Sequence, residues 1–108
     1  MIEISGPGYR IWSPHDLPSD QRANGNIDVH VYPTDGRHYC GTFFTLDNLA
    51  WLMDRGRETG ECASGAYMWS TRMVIVRELT ESNLRIAVED LIRTGALESA
   101  LERCSSGE

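Results

Sequence analysis

Two sets of side chains in this chain have residue types and spacings that chemistry could use. The first is His38-x-Cys40, with Cys62 further along. Imidazole and thiolate are the donors of structural zinc sites, but such sites are built from two tight ligand pairs, and no second close pair follows. The bland reading is a hydrogen-bonded histidine and a free thiol inside a core, so no metal is expected. The second set is Asp28, His30, Tyr32, Arg37 and Tyr39, which the strand pattern places on one sheet face. Catalysis would need a nucleophile or general base there, set in a concave pocket. The chain has no G-x-S-x-G, no H-E-x-x-H and no phosphate loop. All ten of its basic residues are arginine, so it offers no amine for a Schiff base. No catalytic residue and no cofactor are expected. An enzyme using His30 with Asp28 or Tyr39 is the third of three readings, behind cross-strand pairing and contact with a partner.

Binding has a better candidate. On a helix starting at Leu46, Trp51 falls about 140° from that residue, on the side away from the apolar stripe. Asp47, Asp54 and Arg55 flank it. A tryptophan among charged residues has the composition of a protein-binding anchor. The expected partner-binding residues are therefore Trp51, Asp47, Asp54 and Arg55, with Tyr39, His30 and Tyr32 from the sheet face. The bland alternative is that another segment covers Trp51, and likewise Ile86, which points away from the core among Glu89, Asp90 and Arg93.

The elements that must position these residues read as follows. Ile2–Ser5 and Tyr9–Trp12 form a hairpin across Gly6-Pro7-Gly8, and residues 13–26 form a surface loop or arm rich in turn residues. Ile27 to Tyr32 alternates as a half-buried strand. Pro33-Thr34-Asp35-Gly36 turns the chain into a second strand, Arg37 to Phe44. If that turn pairs Tyr32 with Arg37, the core face holds Ile27, Val29, Val31, Cys40 and Phe44. Asp28, His30, Tyr32, Arg37, Tyr39 and Phe43 then lie on the other face. A slip of one residue would reverse the assignment for the returning strand.

Thr45 caps a helix from Leu46 to Arg57, with Leu46, Leu49, Ala50 and Met53 facing the core. Thr59-Gly60 ends it. Tyr67–Trp69 and Met73–Leu79 read as a further hairpin through Ser70-Thr71-Arg72. Thr80 caps a helix from Glu81 to Thr94, stopped by Gly95, and a short helix from Ala96 to Arg103 precedes a polar tail at 105–108. The domain limits are an N-terminal hairpin or arm over 1–25 and one α+β domain over 26–104. The fold class is α+β, in the order (β)ββαββα. It has a mostly antiparallel sheet of four to six strands and two or three helices on one face.

Composition narrows the partner. The 108 residues carry a net charge of −6, with 41% hydrophobic and 24% charged residues. That argues against a basic footprint for nucleic acid; the acidity first serves solubility, and it also suits a basic partner. No apolar run is long enough to cross a membrane. Three widely spaced cysteines, Cys40, Cys62 and Cys104, and an acidic opening Met1-Ile2-Glu3-Ile4 without a leader pattern lead to an expectation of a cytoplasmic protein with free thiols.

The run T-F-F-T-x-x-N-L-x-x-L-M, then T-G-E-C-x-x-G-x-Y-M-W, then M-V-I-V resembles small bacterial proteins similar in size and order to immunity proteins. Those proteins belong to polymorphic-toxin and contact-dependent inhibition systems. The resemblance spans about Thr42 to Leu101 and carries no diagnostic catalytic motif. It implies a cytoplasmic protein that neutralises a cognate toxin domain by occupying it. A self-associating structural or regulatory module, a homodimer through a sheet edge or the Ile86 face, is the second reading.

Overall fold

The alternation of Ile27, Val29 and Val31 with Asp28, His30 and Tyr32 sets up the sheet, because one face of that strand can be buried completely and the other cannot. The computed structural model describes residues 1–17 and 24–104; much of the expected loop over 13–26 and the polar tail lie outside the described residues. Six strands are described: β1 (Ile2–Gly6), β2 (Tyr9–Ser13), β3 (Asn26–Pro33), β4 (Tyr39–Thr45), β5 (Met73–Val76) and β6 (Glu102–Arg103). They form one mostly antiparallel sheet in the order β1-β2-β3-β4-β5, with β6 also on β4. Helices α1 (Leu46–Thr59), α2 (Glu61–Gly65), α3 (Glu81–Arg93) and α4 (Leu97–Ala100) complete an α+β fold.

The core is one sheet face covered by α3 and α4. Across four strands Ile4, Ile11, Val31 and Tyr39 stand side by side. Leu84, Val88, Leu97 and Leu101 close over that face, all buried. The two long helices begin where their caps dictate. Thr45 Oγ1 accepts from the Asn48 N–H and Thr80 Oγ1 from the Asn83 N–H, both at 3.1 Å.

The β3–β4 register differs from expectation by one residue. Val31 pairs with Tyr39 and His30 with Cys40, so Tyr39 and Phe43 enter the core while His38 and Cys40 leave it. The cause is the turn. The Gly36 N–H closes onto the Pro33 carbonyl at 3.3 Å and Gly36 takes φ +87°, so by the Val31–Tyr39 register Thr34, Asp35 and Gly36 make the reversal where a longer turn is expected. The end of β3 is also tied to β2, with Pro33 opposite Tyr9 and the Thr34 N–H on the Gly8 carbonyl at 3.1 Å.

Three further expectations change. Tyr67–Trp69 is not a strand, and β5 pairs with β4 in parallel, because α1 and α2 carry the chain back to the starting end of the sheet before β5 begins. The last helix ends at Ala100, and the chain then pairs briefly with β4 as β6. The stripe Leu46, Leu49, Ala50 and Met53 does not join the core: only Asn48 and Gly56 of α1 are buried. Polar bonds add to the contact of the half-buried Leu49, Leu52 and Met53 in holding α1. Asn48 Oδ1 accepts from Asn26 Nδ2 at 2.7 Å, and Asn48 Nδ2 donates to Asn24 Oδ1 at 3.2 Å.

The α2 segment is a left-handed turn, with φ near +50° to +58° at Cys62, Ala63 and Ser64. Such backbone costs an L-residue about 1–2 kcal/mol, while glycine adopts it freely but loses about 0.5–1 kcal/mol of chain entropy. Ala63 is exposed. Ala63→Gly is expected to raise the free energy of unfolding by about 0.5–1 kcal/mol in urea titration; a loss would show that the turn is not left-handed.

Candidate functional site

The register places a band of rings and sulfur on the uncovered sheet face. Glu3, Trp12, His30, Cys40 and Glu102 follow one another across five strands. The next rung carries Arg10 opposite Tyr32. Side chains on this rung stack in series: the Arg10 guanidinium sits 4.3 Å over the Tyr32 ring, Tyr32 stacks on His38 at 4.4 Å, and His38 on His30 at 5.0 Å. Trp12 leans on His30 at 5.1 Å. His30 Nδ1 and His38 Nε2 face each other at 2.8 Å, so the two rings share one proton between these atoms.

Burial among these rings pushes His30 below the ordinary imidazole range, against the opposing pull of the Asp28 carboxylate. Asp28 accepts from Thr42 Oγ1 at 3.1 Å and lies 3.5 Å from His15 Nε2. The hollow beside these groups, about 230 Å³, is lined in part by Asp28, His30, Cys40, Thr42 and Arg72.

Cys104 comes to this face because the Cys104 N–H donates to the His38 carbonyl at 2.7 Å, directly after β6. Cys40 and Cys104 are joined by a disulfide, while Cys62 stays free. This corrects the expectation of three free thiols: the β6 pairing brings together two cysteines 64 residues apart. Donor atoms of His30, His38 and Cys104 all lie within 4.8 Å of one another.

The expected binding residues divide into two groups and one exclusion. Trp51, Asp47, Asp54 and Arg55 share α1, with Trp51 45% exposed and the Arg55 guanidinium 5.1 Å over its ring. His30 and Tyr32 belong to the ring band. Tyr39 is buried in the core and leaves the contact set, as the register requires; its hydroxyl accepts from Arg37 Nη1 at 3.3 Å. The sequence reading missed Trp12, Arg10, Cys104 and the outward placement of His38. The one available signal was the parity of His38 and Cys40, which puts both on whichever face the register selects.

No known protein family, curated protein or solved structure matches the chain. The functional reading therefore rests on its own residues. Exposed apolar side chains concentrate between α1 and β5: Leu46 (67%), Trp51, Tyr67, Trp69 (64%) and Ile75. A second exposed pair, Ile86 and Ile92 on α3, edges a hollow of about 460 Å³ with Tyr9 and Glu89 in its wall. Tyr9 donates its hydroxyl to Glu89 Oε2 at 2.6 Å. No described helix is long and apolar enough to cross a membrane.

Proposed function

We propose that this protein is a non-enzymatic binding domain that docks a basic protein partner on α1. In that role it acts as an immunity protein, blocking a toxin domain by occupying it. The observation that carries the reading is that α1 gives none of its apolar residues to the core. Leu46 and Trp51 stand exposed instead, with Asp47, Asp54 and Glu58 around them. An amphipathic helix gains most of its stability by burying its apolar face; here Leu49, Leu52 and Met53 are only half-buried and bonds from Asn48 add to the attachment, which leaves Leu46 and Trp51 for another chain. The net charge of −6 would speed association with a basic partner and make it sensitive to salt.

Tagged protein incubated with native lysate at low and high salt tests this reading. The expected result is one stoichiometric basic partner, released by salt and lost with Trp51→Ala. That substitution should weaken binding by about 1 kcal/mol or more while leaving the circular dichroism and thermal transition unchanged. Retention of the same partner at full affinity by the variant would remove α1 from the interface.

A second reading has its own observation. Ile86 is 63% exposed on α3, and the short strand β5 leaves an open edge with Ile75 uncovered. Light scattering on the purified protein separates the two: a dimer without any partner supports self-association, and a monomer supports docking of a different chain.

A further inference from the structure

We propose that reduction of the Cys40–Cys104 disulfide converts the ring band into a zinc site. Its donors are His30, His38 and Cys104, with Cys40 as the fourth. Three observations carry this independently of any partner.

The first is convergence. His30 Nδ1 and His38 Nε2 point at one another across 2.8 Å, and the Cys104 sulfur lies within 4.8 Å of both. Two imidazole nitrogens so close, with a sulfur beside them, can hold one small cation once the nitrogens part slightly and the sulfur swings in. Zinc–nitrogen and zinc–sulfur bonds of roughly 2.0–2.3 Å around a tetrahedron ask only for that small adjustment. Cys40 is bonded to Cys104 in the oxidised protein, so after reduction its sulfur separates only to non-bonded contact and can swing in to complete a Cys2His2 set, the donor combination of tetrahedral zinc.

The second is support around the donors. Tyr32 stacks on His38 and is itself capped by Arg10, while Trp12 leans on His30. Metal-binding imidazoles need their ring orientations fixed by a surrounding shell, and these three side chains fix both. The third is framework. His30 and Cys40 sit on paired strands β3 and β4, and strands place donors more reproducibly than loops do. His38 and Cys104 lie just outside β4 and β6, tied to each other by the Cys104 N–H on the His38 carbonyl at 2.7 Å.

The step balances as follows. A dithiol reductant gives two electrons and two protons to the Cys40–Cys104 bond and is itself oxidised to a disulfide, leaving two thiols. Zinc then displaces both thiol protons to solvent. The proton held between His30 and His38 moves to the far nitrogen of its own ring, so each histidine stays neutral and presents a lone pair. Oxidation and metal binding thus compete for the same sulfur.

The test uses the full chain, reduced with a phosphine that delivers the same two electrons, takes oxygen from water and leaves as its oxide. Cobalt(II) added to the reduced protein should give one equivalent of thiolate-to-cobalt charge-transfer absorption, displaced by zinc. The oxidised protein should give none. His38→Ala and Cys104→Ser should each weaken cobalt binding by about tenfold or more, at least the loss that removing an outer support costs.

Alkylation of the wild type gives a second measurement that no variant's folding can spoil. Zinc should protect Cys40 and Cys104, but not Cys62, in the mass spectrum. The proposal falls if reduced protein shows no thiolate–cobalt band, if both variants bind as tightly as wild type, or if zinc leaves all three cysteines equally reactive.

Discussion

Replacing Cys104 with serine is expected to lower the free energy of unfolding by about 3–4 kcal/mol in oxidising buffer. The bond joins residues 64 apart, and a cross-link over a loop of that length restricts the unfolded chain far more than the folded one. Native geometry asks little of it, because the β4–β6 pairing already holds His38 and Cys104 side by side. Urea titration of wild type and Cys104→Ser checks the figure. Wild type in reductant with a chelator should fall to the variant's midpoint, since both then lack the bond and any metal. The urea slope should steepen when the bond is lost, because the freed unfolded chain exposes more surface. Equal midpoints for the two proteins in oxidising buffer would mean that the sulfurs are not joined.

Local signals in the sequence were reliable where the physics is local. Both long helices start at the threonines that cap them, and the first hairpin turns at Pro7-Gly8, where Gly8 takes φ +83°. The alternation in β3 named its buried residues correctly. What failed depends on a choice between two turns and on distant partners. The β3–β4 register follows from Gly36 at φ +87°, which makes a three-residue reversal where Pro33-Thr34-Asp35-Gly36 also allows a four-residue one. Strand β6 is two residues long and exists because β4 is there to receive it.

Trp51 was read as a surface residue from helical angle alone, and the structure exposes it. The apolar stripe on the other side of that helix reads as core because period alone cannot show that Asn48 is buried while Leu49 stays half-exposed. Half of the candidate metal site, His38-x-Cys40, is visible in the sequence, but its partners are not. His30 and Cys104 join it only once the register shifts by one residue and β6 forms.

That shift also governs a larger effect. Phe43→Ala is expected to lower the free energy of unfolding by about 3–5 kcal/mol, the transfer and cavity cost of a buried aromatic ring. Phe43 is the largest of the fully buried side chains, between Ile27 on β3 and Val74 on β5. In the alternative register it would leave the cluster formed by Ile27, Val29 and Val31 for the opposite face. A urea midpoint close to wild type would mean that the ring is not packed in that core. Phe43→Leu, which keeps most of the volume, should cost about 1.5 kcal/mol or less. The core ring and the disulfide act on different terms, one on packing in the folded state and one on the entropy of the unfolded chain. Their losses should accordingly add. A domain of this kind holds only about 5–15 kcal/mol in all. Phe43→Ala combined with Cys104→Ser should thus remove most of its stability, and the double variant should melt near ambient temperature even though each single variant still folds.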